Sequence, residues 1–126
     1  MKIVLATDGS KYCKKAVAFL VKQEWVHGRG VEIVAANVQP KGPDYEEEAR
    51  AVLDPVERQL KREKIARRGV ALAGDPAIEI VKLAKKEKAE IIVMGTRGLG
   101  ALKSVFMGSV AQAIVSTSTV PVLLVK

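Results

Sequence analysis

The residues best suited to chemistry lie in one stretch, Met94-Gly95-Thr96-Arg97-Gly98-Leu99-Gly100, followed after a short interval by Gly108-Ser109-Val110. Gly95 and Gly98 let a backbone turn sharply off a strand and come close to a ligand, because neither carries a Cβ. Gly108-Ser109 opens a predicted helix, whose first N–H groups and positive dipole end favour an anion. Arg97 adds a mobile positive charge, and the Ser109 hydroxyl can either donate to a phosphate oxygen or cap the helix. The stretch is not a Walker A loop, since Ala101-Leu102 stand where a Lys-Ser/Thr pair would follow Gly100. Nor does it have the G-x-G-x-x-G fingerprint that follows the first strand of a dinucleotide fold. Taken singly, each glycine serves a turn. Taken together at one edge of a sheet, they point to phosphate binding.

Such groups act together only if the elements around them converge. Lys2–Thr7 is predicted as a buried strand, ended by the turn Asp8-Gly9-Ser10. A helix capped by Ser10 follows, with apolar positions at Ala16, Val17, Leu20 and Val21, and is expected to continue to His27-Gly28. Val31–Val38 is a second strand, and Gln39–Asp44, with two prolines and a glycine, a loop. The next helix carries Glu46–Glu48 in its first turn and is expected to run to about Arg68, ending at Gly69. Pro55 lies within it and should kink it or delay its start. Val70–Ala73 is a brief strand, and Asp75-Pro76 supplies a strong start for a helix over Ala77–Lys86. Glu90–Met94 is a fourth strand, Ser109–Ser116 a helix and Val120–Val125 a final strand.

Continuous apolar strands alternating with amphipathic helices imply an α/β fold with a parallel sheet covered on both faces. Right-handed crossovers then make a doubly wound three-layer α/β/α sandwich the natural solution. In such a sheet the ligand site lies beyond the carboxyl ends of the strands, where the strand order reverses. Thr7-Asp8, Val38-Gln39 and the stretch from Gly95 all fall on that edge.

The composition agrees with one core. The chain has 126 residues, 48% hydrophobic and 28% charged, which excludes a disordered chain. No linker or internal repeat divides residues 1–126, so one domain is expected. The single cysteine, Cys13, excludes a disulfide scaffold and reads as a small packed side chain. No apolar run approaches the roughly 18 residues of a membrane span, and the N-terminus leads straight into a strand, so a cytoplasmic protein is expected. Net charge is +7, with positives concentrated at 60–69 and 81–90, both expected on helices. A solvated helix face accounts for such runs, and a nucleic-acid surface is the alternative, although no aromatic is interleaved for base stacking.

The pattern Gly95-x2-Gly98-x9-Gly108-Ser109 resembles the ATP-binding motif of the universal stress protein family, G-x2-G-x9-G-[S/T]. The resemblance covers the whole chain: the first strand ending in Asp8-Gly-Ser, the Gly74-Asp75-Pro76 start and the closing PVLLV strand also correspond. It implies a five-stranded parallel sheet in order 3-2-1-4-5, the adenine nucleotide alpha hydrolase-like fold, and membership of the nucleotide-binding branch. By the same resemblance, Asp8, with Thr7 and the backbone around it, lies near the adenosine, its carboxylate directed to a ribose hydroxyl. Val38 stacks on adenine, and Met94 and Gly95 line the ribose side. Arg97, Gly98, Gly108, Ser109 and Val110 hold the phosphates. Asp8 can equally be a turn former when read without the motif. The 39–46 connection is short for the family, and Asn37 stands where many relatives have histidine.

The expected function is therefore that of an ATP-binding regulatory stress protein, with Mg²⁺ on the phosphates and at most slow hydrolysis. No general base is predicted near the terminal phosphate, so an enzyme is not expected. A nucleic-acid-binding module on the basic helices is the alternative, and an adenylate-transfer enzyme a third reading for which no motif is present. His27 reads as a surface residue at a helix end, and Phe106 and Met107 as core or partner-facing. The last strand, VPVLLV, is an apolar sheet edge without charged protection until Lys126, and relatives commonly dimerise there, so a homodimer is expected.

Overall fold

The computed structural model describes residues 1–99 and 107–126. Five parallel strands, β1 (Lys2–Ala6), β2 (Glu32–Gln39), β3 (Arg67–Ala73), β4 (Ile91–Gly95) and β5 (Val122–Val125), form one sheet in the order β3-β2-β1-β4-β5. Helices α1 (Lys11–Val21), α2 (Tyr45–Arg62), α3 (Pro76–Lys86) and α4 (Ser109–Thr117) connect them. The expected sandwich and strand order are both present.

The alternation of side chains along each strand divides the core into two. Ile3, Leu5, Ile33, Ala35 and Val93 pack under α1 and α2 with Leu20, Leu53 and Leu60. Val4, Val34, Ala36, Ile92 and Met94 pack under α3 and α4 with Ile80, Leu83 and Ile114. Both strand faces are thus apolar, which is why the central strands read as continuous hydrophobic runs.

The helix starts follow the sequence. The Ser10 hydroxyl accepts from the Cys13 N–H at 3.2 Å, and Asp75 Oδ2 accepts from the Ile78 N–H at 3.0 Å. Two helix ends differ from expectation. α1 stops at Val21, and Glu24–His27 form a separate 3-10 turn. Val26 is buried there while Trp25 stays exposed, and Gly28 closes that turn with an ordinary φ of −73°.

α2 stops at Arg62 rather than near Arg68. Lys64 takes a left-handed φ of 58°, the Ile65 N–H returns to the Leu60 carbonyl at 3.0 Å, and the Lys64 N–H to that of Lys61. This is a Schellman closure with lysine where glycine is usual, locked by buried Ile65. Strand β3 consequently starts at Arg67 and Gly69 lies inside it. Pro55 sits within α2 and does not delay its start at Tyr45. The basic run 60–69 is therefore not one helical face. Its Arg68 is held by Glu87 and, at 3.7 Å, by Glu32.

Candidate functional site

Strand β1 has β2 on one side and β4 on the other, so the chain direction of the crossovers reverses between β1 and β4. A cavity of about 440 Å³ opens at the carboxyl edge there. Thr7, Asp8, Val38, Met94, Gly95, Arg97, Gly98, Gly108, Ser109 and Val110, all anticipated from the sequence, line it. Ala6, Ala36, Cys13, Asn37, Pro76, Ile80, Leu99 and Ala111 line it as well and were not anticipated as site residues. Pro76 and Ile80 come from α3, whose first turn overhangs the edge and contributes an apolar wall. Met107 is half-buried against the α3–α4 core, and Phe106, like Gly100, Ala101 and Leu102, lies outside the described residues.

The β1 end of the cavity is held by a dense set of hydrogen bonds. Asp8 Oδ1 accepts from the Ser10 N–H at 2.9 Å and from the Cys13 thiol at 3.1 Å, and Oδ2 accepts from the Leu99 N–H at 3.0 Å. Burial works against the Asp8 charge, but the Ser10 hydroxyl, the Cys13 thiol and the Ser10 and Leu99 N–H groups outweigh it and hold the carboxyl below its usual range. Burial pushes the Cys13 thiol up, and the neighbouring carboxylate adds to this, so the thiol stays protonated and able to donate. Asn37 donates from Nδ2 to the Thr7 carbonyl at 2.8 Å and accepts from Gln39 Nε2 at 2.8 Å, tying the ends of β1 and β2 together. That bond gives the asparagine before Val38 a structural role, one that only the spatial adjacency of β1 and β2 reveals.

The glycines divide by the reason each is glycine. A Cβ on Gly95 would press into the Tyr12 backbone at 2.8–2.9 Å, and one on Gly98 would overlap Asp8 Oδ2. Both are required by the protein's own packing. Gly108 is different. It is the N-cap of α4 with φ −71°, and a Cβ there would meet its nearest neighbours, Arg97 Cα and the Thr96 carbonyl, at ordinary distances of 3.4 and 3.6 Å. No side chain caps this helix, and no acidic residue occupies its first turn. Ser109 is the first helical residue and not the cap, so its hydroxyl is left for another partner. The Gly108 N–H is held by the Thr96 carbonyl at 2.8 Å, which aims the uncapped helix end at the cavity.

Arg97 lies between the cavity and α1, its guanidinium 4.9 Å from the centre of the Tyr12 ring. His27 is exposed, 3.0 Å from the Val21 carbonyl at the end of α1, and takes no part in the cavity. Among the described residues no cluster of three His, Cys, Asp or Glu side chains could hold a metal ion, and no helix is long and apolar enough to cross a membrane.

A parallel sheet in the order 3-2-1-4-5 with its cavity at the β1–β4 switch point matches the adenine nucleotide alpha hydrolase-like fold. The model of the universal stress protein family matches residues 1–126, and the chain belongs to that family. It is 40% identical over 136 residues to a universal stress protein of Thermus aquaticus encoded in the QAH/OAS sulfhydrylase 3′ region, covering 98% of this chain and 97% of that one. Among solved structures, MJ0577 of Methanocaldococcus jannaschii superimposes with a TM-score of 0.85 at 27% identity, over 99% of this chain and 94% of that one. A universal stress protein family member of Arabidopsis thaliana, solved with AMP bound, shares the fold with a TM-score of 0.78 at 20% identity, over 100% and 91%.

Proposed function

We propose that this protein binds an adenine nucleotide, ATP with Mg²⁺, in the cavity between β1 and β4, and acts in the stress response by changing conformation or partner when it does so. The observation that carries this reading is Gly108. Neither its φ nor its surroundings require glycine, yet the position leaves a helix end uncapped beside a cavity. A side chain there would stand where a phosphate meets the free N–H groups of α4. The AMP complex of a protein with the same fold supports an adenine nucleotide as occupant.

In this reading the nucleoside lies along β1 and β2 and the phosphates against α4. Val38 and Ile80 give the base apolar walls, and Met94 and Gly95 flank the ribose. Asp8 Oδ2 accepts one hydrogen bond, from the Leu99 N–H, and a carboxylate oxygen offers about two lone pairs, so it has room for one more donor. A ribose hydroxyl would take the remaining place. Arg97, Gly98, Ser109 and Val110 would hold the phosphates, and the phosphates would hold Mg²⁺. Among the described residues Asp8 is the one carboxylate lining the cavity, and it is already engaged. Hydrolysis is accordingly slow at most, and the protein acts by binding.

The test is calorimetry with Mg·ATP on the wild type and on Gly108→Asp. Aspartate is a favoured N-cap and its charge suits the helix dipole, so the variant should fold at least as well. It should also repel phosphate and lose ATP binding. Unchanged ATP affinity in a folded variant would remove the phosphate site from the helix end. The sheet-edge dimer belongs to the same reading: β5 leaves an apolar edge that a second copy can cover.

A further inference from the structure

Helix α1 begins against the rules of helix electrostatics. Its first turn carries Lys11 and Lys14 and no acidic residue, with Lys15 directly after it, although the positive end of the helix dipole lies there. Lys11 and Lys15 stand one turn apart, a spacing at which like charges repel. Among the described residues neither has an ion-pair partner. Elsewhere on the surface, Lys2, Arg50, Arg68 and Lys82 all pair with glutamates.

Instead the two ammonium groups gather on Tyr12, Lys11 Nζ at 5.3 Å and Lys15 Nζ at 5.9 Å from the ring centre, with the Arg97 guanidinium at 4.9 Å from the same ring. One ring thus collects three cations. Cation–π attraction offsets part of the repulsion between the two lysines, but an aromatic quadrupole does not neutralise them. Local conflicts of this kind are retained where a ligand resolves them. Arg97 also lines the cavity beside Gly98 and Gly108, which connects this cationic cluster to the phosphate end of the proposed nucleotide site.

We propose that Lys11, Lys15 and Arg97, assembled on Tyr12, form an anion subsite for the outer phosphates of the nucleotide, so that the protein selects its ligand by phosphate-chain length. The proposal rests on the nucleotide reading above and adds the discrimination to it. The α4 end and the glycine turns take the first phosphate, which AMP and ATP share. The α1 cluster takes the charge that ATP has and AMP lacks.

The experiment is calorimetry of AMP and Mg·ATP on the wild type, on Lys11→Gln/Lys15→Gln and on Lys14→Gln. The wild type should bind ATP about tenfold or more tightly than AMP, and higher salt should narrow that ratio. The double variant should bind AMP as the wild type does and ATP about as weakly as AMP. Lys14, in the same turn but outside the ring cluster, should leave both affinities unchanged. A wild type that binds AMP and ATP equally, a double variant that keeps the ATP preference, or an equal loss from Lys14→Gln would overturn the subsite while leaving the nucleotide site standing. A wild type that binds neither nucleotide would overturn both.

Discussion

The Leu99 N–H donates to Asp8 Oδ2 at 3.0 Å, joining the turn after β1 to the turn after β4 across 91 residues of chain. The bond needs the β4 turn to pass directly over the carboxylate, and Gly98 makes that passage possible, because a side chain there would overlap Asp8 Oδ2. The same oxygen is the one proposed to receive a ribose hydroxyl, so the shape of the loop and the affinity of the site are coupled through one atom.

Gly98→Ala should therefore act through Asp8. The added Cβ displaces the carboxylate or the loop, at a cost of about 1–3 kcal/mol from overpacking and a lost charged hydrogen bond. Adenosine affinity should fall along with ATP affinity. In an Asp8→Asn background the added methyl should cost less than it does alone. Additive losses across the double-mutant cycle would show that the two residues are not coupled in this way.

Arg97 makes the opposite division. If its guanidinium serves phosphates, Arg97→Ala should weaken ATP by about tenfold and leave adenosine nearly unchanged, a difference of about 1.4 kcal/mol. Equal weakening of both ligands would place Arg97 in the scaffold, through its stacking on Tyr12.

The split between these two residues parallels what could be read from the sequence. The glycine pattern at the sheet edge and its family resemblance single out Gly95, Gly98 and Gly108, and the strand ends Asp8 and Val38, and all five line the cavity because a doubly wound sheet has one binding edge. The wall from Pro76 and Ile80 and the Asn37 bond to Thr7 depend on which strands are neighbours, which no local pattern encodes. The end of α2 departs from the sequence expectation for a different reason. Its left-handed closing residue is Lys64, and α3 closes in the same way on Lys88 at φ 54°, so the glycine signal for a helix end is absent from both. Buried Ile65 and Ala89, not a backbone preference, select those stops.

Acid should weaken the fold through two carboxylates. Hydrogen bonds from Arg68 and then Lys2 outweigh burial to hold Glu87 below its usual range, and Asp8 is lowered as described. A carboxyl depressed in the folded state stabilises above its unfolded pKa, near 4, and that stability is lost as pH falls through the folded value. The urea midpoint should be flat from pH 7 to about 5 and decline below about 4. Glu87→Gln should cost about 1 kcal/mol at pH 7, a modest figure because Lys2 and Arg68 are 43% and 42% exposed and solvent screens their charges. The gap between wild type and variant should close on acidification. A gap of the same size at pH 3 would show that the Glu87 charge is not its source.

The last prediction concerns the free edge of the sheet. The Ile92 N–H donates to the Pro121 carbonyl at 2.8 Å and the Thr96 N–H to the Val125 carbonyl at 3.1 Å. In a strand the N–H and C=O of one residue point the same way and alternate along the chain, so residues 121, 123 and 125 face β4. The peptide groups of Val122 and Leu124 then face outward. Pro121, the residue without an N–H, lies on the inner side, and its missing donor does not interrupt the edge. A second copy related by a two-fold axis can therefore pair with Val122 and Leu124 through intact backbone groups. Val122→Pro removes one outward donor without touching the bonds to β4, at the start of an edge strand where proline is tolerated. Light scattering should show the wild type as a dimer at micromolar concentration and Val122→Pro as a folded protein whose dimer dissociates at least tenfold more readily. A monomeric wild type, or a variant that dimerises unchanged, would refute pairing through this edge.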